Sequence, residues 1–325
     1  MTLSDALSAG RSSNLDGLRL ILAMSVIFSH AWPLALGPGT AEPLEQLTGL
    51  SLGGWAVLLF FFLSGLLVTA SAQRRSLVSF GLARVRRIFP GLAVALLVSL
   101  VLAYASGATA EPDEALAWFA RAFTLVSIEH RLTAAFDGNP FPHVLNGPLW
   151  SLFHEVAAYV VCVALVRAGL AGGPKRVLAV ATVVGFATLA GPDLPARLSS
   201  FLPLFFAFML GMTAHALRHA LPLTPSALAV WLVAALLLPD PLAMAAVCFA
   251  VLTAALCLPR IGLDSDYSFG LYIYGWPVAQ FAVHLLPGID PIALALLSLS
   301  ATFPLAWFSW HIIEQPAMWR LRQLA

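Results

Sequence analysis

The chain has 325 residues, of which 60% are hydrophobic and only 10% charged, with a mean hydropathy of +0.89. Soluble proteins carry about 25% charged residues, and no polar stretch here is long enough to bury a core of its own, so a soluble domain is excluded. The formal net charge of +1 is the small difference between two sets of charges that fall on opposite ends of the apolar segments.

Those segments run to roughly 17 to 25 residues, the length a helix needs to cross about 30 Å of hydrocarbon. The alternation of an outer-membrane barrel is missing. The expected fold is therefore all-α, a polytopic transmembrane helix bundle of about ten spans in a single domain, 1–325. The predicted spans lie near 16–36, 51–71, 88–106, 148–169, 175–190, 199–217, 224–238, 241–258, 267–286 and 291–313. The seventh and eighth are parted only by "PDP" at 239–241, where a re-entrant hairpin is the alternative.

The first span, "LDGLRLILAMSVIFSHAWPL", holds Arg19 and His30. Eleven residues separate them, about 16 Å of helical rise and three turns with about 20° of residual rotation, so both project from one face. Ionisable groups at this depth cost about 2.5 to 3.5 kcal/mol on insertion scales and face protein or a wet cavity. An Arg snorkelling to the headgroups and a His bonded to a neighbouring helix is the plainer alternative. No A-x-A-like cleavage site follows the span, so a removed signal peptide is not expected.

The second span contains "FFFLSG" at 60–65. Ser64 there is either an acyl carrier or a packing residue beside Gly65. Ahead of the third span lie Arg74, Arg75, Arg84, Arg86 and Arg87, five Arg within fourteen residues. Positive-inside topology and anionic lipids account for Arg74 and Arg75. Arg84 and Arg87, three apart, share a helix face and make a bidentate phosphate clamp with Arg19 at similar depth.

The segment "PDEALAWFARAFTLVSI" at 112–128 predicts an interfacial helix lying on the membrane. The stretch from about 107 to 147 is the longest outer loop and is expected to shape an acceptor site. In the fourth span, "NGPLWSLFHEVAAYV" places Glu155 about two turns in, at a depth matching His30. A carboxylate and an imidazole at one depth suit a general base and the group that orients it; an isolated ion pair is the competing reading. His154 points roughly 100° away from Glu155. Cys162, Cys248 and Cys257 lie in apolar runs without metal-ligand spacing, so neither a disulfide frame nor a metal site is expected.

Cations fix the orientation. Arg11, Arg74, Arg75, Arg84, Arg86, Arg87, Arg167, Lys175, Arg176, Arg218, Arg260, Arg320 and Arg322 fall on one side, against Arg121, Arg131 and Arg197 on the other. The sparse side collects Glu42, Glu45, Glu111, Asp113, Glu114, Glu129, Asp137, Asp193, Asp240 and Asp290. Both termini are thus expected in the cytoplasm.

In their order, "DGLR" followed by a His, "FFFLSG", Arg-x-x-Arg-Ile-x-Pro at Arg84 to Pro90, "PLWSLFHE…Y" through Tyr159, "YSFGLYIYGWPV" at 267–278 and "IEQP" at 313–316 resemble the acyltransferase-3 family of integral membrane acyltransferases. The resemblance covers nearly the whole chain. It implies transfer of an acyl group, usually acetyl, from cytoplasmic acyl-CoA to a hydroxyl on the outer side, as on a glycan or glycolipid. It maps the family's first-span pair onto Arg19 and His30, its basic pair onto Arg84 and Arg87, and its Glu onto Glu155. Tyr159, Trp150 and Asn146 are the expected substrate contacts, with Ser64 a further oxyanion candidate. Many members carry a His where this chain has Gly275, so that role is lost or passes to Tyr272, Tyr274 or His284. The family's fused extracytoplasmic domain is not expected after Ala325. Expected partners are membrane lipids, acyl-CoA and the acceptor, without nucleic acid or metal.

The rival reading is a proton-coupled transporter or flippase using the same Arg, His and Glu. Such folds show repeated halves, and no second copy of "DGLR…H" or "WSLFHE" occurs. A structural partner protein is the third reading, and it gives Arg84, Arg87 and Glu155 no task.

Overall fold

Among the described residues each predicted apolar segment overlaps a helix. A computed structural model describes residues 1–10, 12–125, 131–189, 194–260, 263 and 265–322. Arg11, Glu129, Asp193 and the tail of the interfacial segment from 126 lie outside the described residues. In chain order the helices are α1 (Leu3–Ser8), α2 (Ser12–Leu36), α3 (Pro43–Thr48), α4 (Leu52–Arg74), α5 (Leu77–Ala105), α6 (Pro112–Thr124) and α7 (Leu149–Arg167). There follow α8 (Pro174–Thr188), α9 (Ala196–Ala216), α10 (Pro225–Leu237), α11 (Leu242–Cys257), α12 (Ser268–Leu285), α13 (Pro291–Ser309) and α14 (Gln315–Arg322). Among the described residues β-structure amounts to two isolated bridges, Thr2 with Pro222 and Arg131 with Val144.

Six helical stretches are long and apolar enough to cross a membrane: 14–36, 52–74, 77–105, 149–167, 196–216 and 291–318. The protein is an integral membrane helix bundle. Helices α10 and α11, with 13 and 16 residues, are apolar but shorter.

Two boundaries differ from the sequence expectation. Helix α5 starts at Leu77, not near 88, because hydropathy marks where charge begins and not where helix begins. Its 29 residues reach about 43 Å, more than the hydrocarbon layer needs, so Arg84, Arg86 and Arg87 sit on the extension. At the other end of the chain, α13 passes into a π-helical turn, Trp310–Glu314, and then α14. Such widened turns re-aim side chains and occur often at functional sites.

The chain forms two compact units. One contains residues 1–19, 57–80 and 154–264. In it α4 and α9 approach at two glycines: a Cβ on Gly65 would lie 2.0 Å from the Phe208 carbonyl oxygen, and one on Gly211 1.9 Å from that of Phe62. Helices without a hydrophobic drive between them associate through such small-residue contacts. Asn14, buried at the start of α2, donates from Nδ2 to the carbonyls of Ala255, Leu258 and Pro259. It thereby supplies donors to carbonyls at and just past the end of α11, where the helix leaves them open.

The other unit contains residues 20–56, 81–153 and 265–325. Its core joins Ala31, Leu34 and Ala35 of α2 to Trp276, Ala279, Ala282 and Val283 of α12 and to Leu294 and Ala295 of α13. Helix α6 opens on Pro112 with Asp113 and Glu114 in its first turn, where acidic side chains complement the helix dipole. It closes on Leu125 in the left-handed region and buries Trp118 completely.

Candidate active site

His30 lies in the last two turns of the 25-residue helix α2, in the second-named unit. Its half-buried ring meets Trp276 edge to face, with centroids 5.0 Å apart and planes at 79°. Trp276 is itself held tightly. Its indole N–H donates to the Val144 carbonyl at 3.0 Å, Phe141 packs against it at 5.3 Å, and a Cβ on Gly147 would stand 3.0 Å from its ring. Gly275 lets α12 come close to α2, since a Cβ there would lie 2.6 Å from Ile27 Cγ1, one turn before His30. The His30 ring thus packs edge-on against an indole that is itself held by a hydrogen bond.

The basic extension of α5 has a second arrangement in the same unit. Arg87 donates from Nη2 to Asp266 Oδ2 at 2.6 Å and from Nη1 to Glu314 Oε2 at 3.1 Å. The side chains of Arg87, Asp266 and Glu314 are 14%, 12% and 1% exposed, so the cluster is largely desolvated. Phe269 and Trp310 lie 5.5 and 5.7 Å from the guanidinium carbon. Glu314 Oε1 accepts from Ser309 Oγ at 2.8 Å, and the Tyr274 hydroxyl donates to Ser309 Oγ at 3.3 Å. The π-helical turn brings Glu314 into this chain of bonds. Arg86, next to Arg87, has a buried Nη1 without a hydrogen-bond partner among the described residues. Arg84 is partly buried on the same helix.

In the first-named unit Glu155 is gripped by two hydroxyls. Ser64 Oγ donates to Glu155 Oε1 at 3.0 Å, and the Tyr159 hydroxyl donates to the same oxygen in a short hydrogen bond. Two hydroxyl donors on one carboxylate oxygen fix its direction. Tyr159 is buried and tilts against Phe208. His154 is also buried, stacked on Phe201 with Nε2 near Ser200 Oγ and the Arg197 carbonyl; it belongs to the packing of α7 on α9.

The structure thus gathers Ser64, Glu155 and Tyr159 in one unit, and His30 with Trp276 and Arg87 with its two carboxylates in the other. Arg19 belongs to the unit of Glu155 and shares helix α2 with His30. Asn146 is fully buried: its Nδ2 donates to the Ile273 carbonyl at 2.8 Å, and its Oδ1 has no partner among the described residues. Its donor is therefore engaged by the Ile273 carbonyl and Ser99 Oγ, and what it offers a substrate is an acceptor. Trp150 is half-buried one turn before His154 on α7. Tyr272 shares a hydrogen bond with Ser151, Tyr274 belongs to the Glu314 chain, and His284 stacks on Phe281. Sequence reasoning missed Trp276, Asp266 and Glu314 as site residues. Trp276 and Glu314 fall in motifs the sequence offered, beside Gly275 and in "IEQP", but nothing local tied Glu314 or Asp266 to Arg87.

A family model described as an acyltransferase domain matches residues 12–311. Two curated proteins are similar over nearly their whole lengths. An O-acetyl transferase of Shigella phage Sf6 is 28% identical, with 94% of this chain and 96% of that protein aligned. Nodulation protein 10 of Rhizobium leguminosarum bv. viciae is 29% identical, with 96% of this chain and 94% of that protein aligned. No solved structure matches the chain significantly.

Proposed function

This chain belongs to the acyltransferase-3 family and is a membrane-embedded O-acyltransferase, and from that premise we propose that it moves an acetyl group from cytoplasmic acetyl-CoA to a hydroxyl of a glycan or glycolipid on the outer face of a bacterial inner membrane. Ten spans with both termini inside complete the proposed topology, and the crowding of cations on one side of the segments supports it.

In this reading Arg84 and Arg87 form the donor's phosphate site. Arg87 is held rigid by Asp266 and Glu314, and Arg84, one turn before it, makes the phosphate contact. His30 is the general base. It takes the proton of the acceptor hydroxyl as that oxygen adds to the thioester carbonyl. The carbon–sulfur bond then breaks, the new ester stays on the acceptor, and the proton passes from His30 to the departing CoA thiolate. Glu155 is the carboxylate of the reading, and the hydroxyls of Ser64 and Tyr159 hold it in place. Tyr159, Trp150 and Asn146 contact the substrates, Asn146 through its acceptor oxygen. General base catalysis contributes typically about 10² to 10⁴-fold, and holding the reactants aligned contributes further.

The observation that carries this reading is His30, a titratable ring on a long apolar helix, packed on an immobile Trp276 in a chain that matches an acyltransferase family. The test is reconstitution in proteoliposomes with labelled acetyl-CoA on the cytoplasmic side and saccharide on the other. Label on the saccharide is the expected result. Label that never reaches any saccharide refutes the reading.

A further inference from the structure

Glu114 of α6 and the segment 131–143 form a shallow cavity of about 300 Å³, lined by Glu114, Arg131, Leu132, Thr133, Ala134 and His143. That volume is at the lower end of small-ligand sites. We propose, resting on the acyl-transfer reading above, that this cavity is the acceptor subsite and that it takes an uncharged, hydroxyl-rich sugar.

Three observations carry the assignment. First, the cavity is built. Glu114 Oε1 accepts from the Thr133 N–H at 2.9 Å and from Thr133 Oγ at 2.8 Å, so the carboxylate is fixed on the rim. Leu132 N donates to the His143 carbonyl and His143 N to that of Ala135, which ties the two walls together. Ala134, Phe136 and His143 take positive φ angles of 57°, 56° and 67°. Non-glycine residues persist there only where their surroundings over-determine them, and such positions cluster at binding sites.

Second, the cavity offers both halves of a hydroxyl's chemistry. A carboxylate only accepts and a guanidinium only donates, whereas a sugar hydroxyl does both. Neighbouring hydroxyls therefore match Glu114 and Arg131 together. A uronate or phosphate would meet the fixed Glu114 carboxylate; like charges set against each other penalise the wrong ligand.

Third, the loop leads to His30. Gln280, fully buried, donates from Nε2 to the carbonyls of Phe141 and Val144 and accepts from Asn139 Nδ2. Trp276 donates to Val144 and supports the His30 ring. A sugar seated against His143 thus rests on a loop pinned by the same indole that orients the base.

The test uses the full chain in lipid nanodiscs with labelled acetyl-CoA. The acceptors are neutral hexose and N-acetylhexosamine oligomers, uronate-bearing oligomers, and glycerol phosphate as a stand-in for a lipid headgroup. A neutral oligomer is expected to be the best acceptor. The pair Glu114→Gln and Arg131→Gln is expected to raise its KM at least tenfold while the KM for acetyl-CoA and the unfolding midpoint stay put. Glu114→Asp is expected to recover part of the loss. An unchanged acceptor KM overturns the subsite alone, and preference for the uronates or glycerol phosphate overturns its sugar class. If wild-type protein acetylates none of the panel, the acyl-transfer reading to a glycan falls and takes the subsite with it.

Discussion

Arg87 shows how far a single side chain can be read from sequence. Its cationic character and its spacing from Arg84 were legible, and they pointed to phosphate. Its two carboxylate partners, 179 and 227 residues away, were not, because no local rule connects α5 to the start of α12 or to a π-helical turn. The pairing has an energetic consequence. Removing one partner of a buried ion pair leaves an uncompensated charge and costs about 3–5 kcal/mol. With Asp266 still in place, Glu314→Ala is expected to cost about 3 kcal/mol, read as a large fall in the unfolding midpoint in detergent. Asp137→Ala, which breaks the exposed pair with His143 (41% and 60% exposed), is expected to cost less than about 1 kcal/mol. Equal losses for the two would mean the Arg87 cluster is solvated. His30 and Glu155 were legible for a different reason: an ionisable residue in an apolar run stands out by composition alone.

At the scale of elements, the helices followed from apolar runs and turn residues, but their junctions depended on glycines whose partners are remote. In "FLSG" the sequence leaves Ser64 as either an acyl carrier or a packing residue beside Gly65, and the structure gives each of the two residues its own contact. Gly65 admits the backbone of α9, while Ser64 bonds Glu155. A Cβ at Gly65 or Gly211 would overlap backbone that cannot rotate away. Gly211→Ala is therefore expected to destabilise by at least the 1–3 kcal/mol typical of overpacking, about the same as Gly65→Ala, measured as lost folded yield and a lowered midpoint. Gly275 offers a subtler case, because its neighbour is the Ile27 side chain. Gly275→Ala is expected to push α2 off α12 and lower kcat about tenfold, and Ile27→Ala is expected to restore it in the double variant. Additive losses in that cycle would show that the two residues are not coupled.

For the molecule as a whole, class and membrane character were readable from composition, since apolar blocks of this length match the thickness of the hydrocarbon layer. The division into two units was not readable, because α2, α4, α5 and α7 each contribute residues to both, and no linker marks the seam. Topology is argued from cation asymmetry and is open to direct reading. The native cysteines are poorly accessible, with Cys162 and Cys248 buried. A membrane-impermeant maleimide is expected to label Gly138→Cys in intact cells, and Ser76→Cys only after permeabilisation; both sites are exposed. The reverse pattern would invert the protein and place donor and acceptor on the wrong faces.

The most direct trial of the mechanism is the single-turnover rate of acetyl transfer by His30→Ala, in nanodiscs under saturating labelled acetyl-CoA with binding of the donor verified in the same sample. The account predicts a rate lower by about 10² to 10⁴-fold with the donor still bound. Transfer at the wild-type rate would remove His30 from the chemistry and with it the proposed path of the proton.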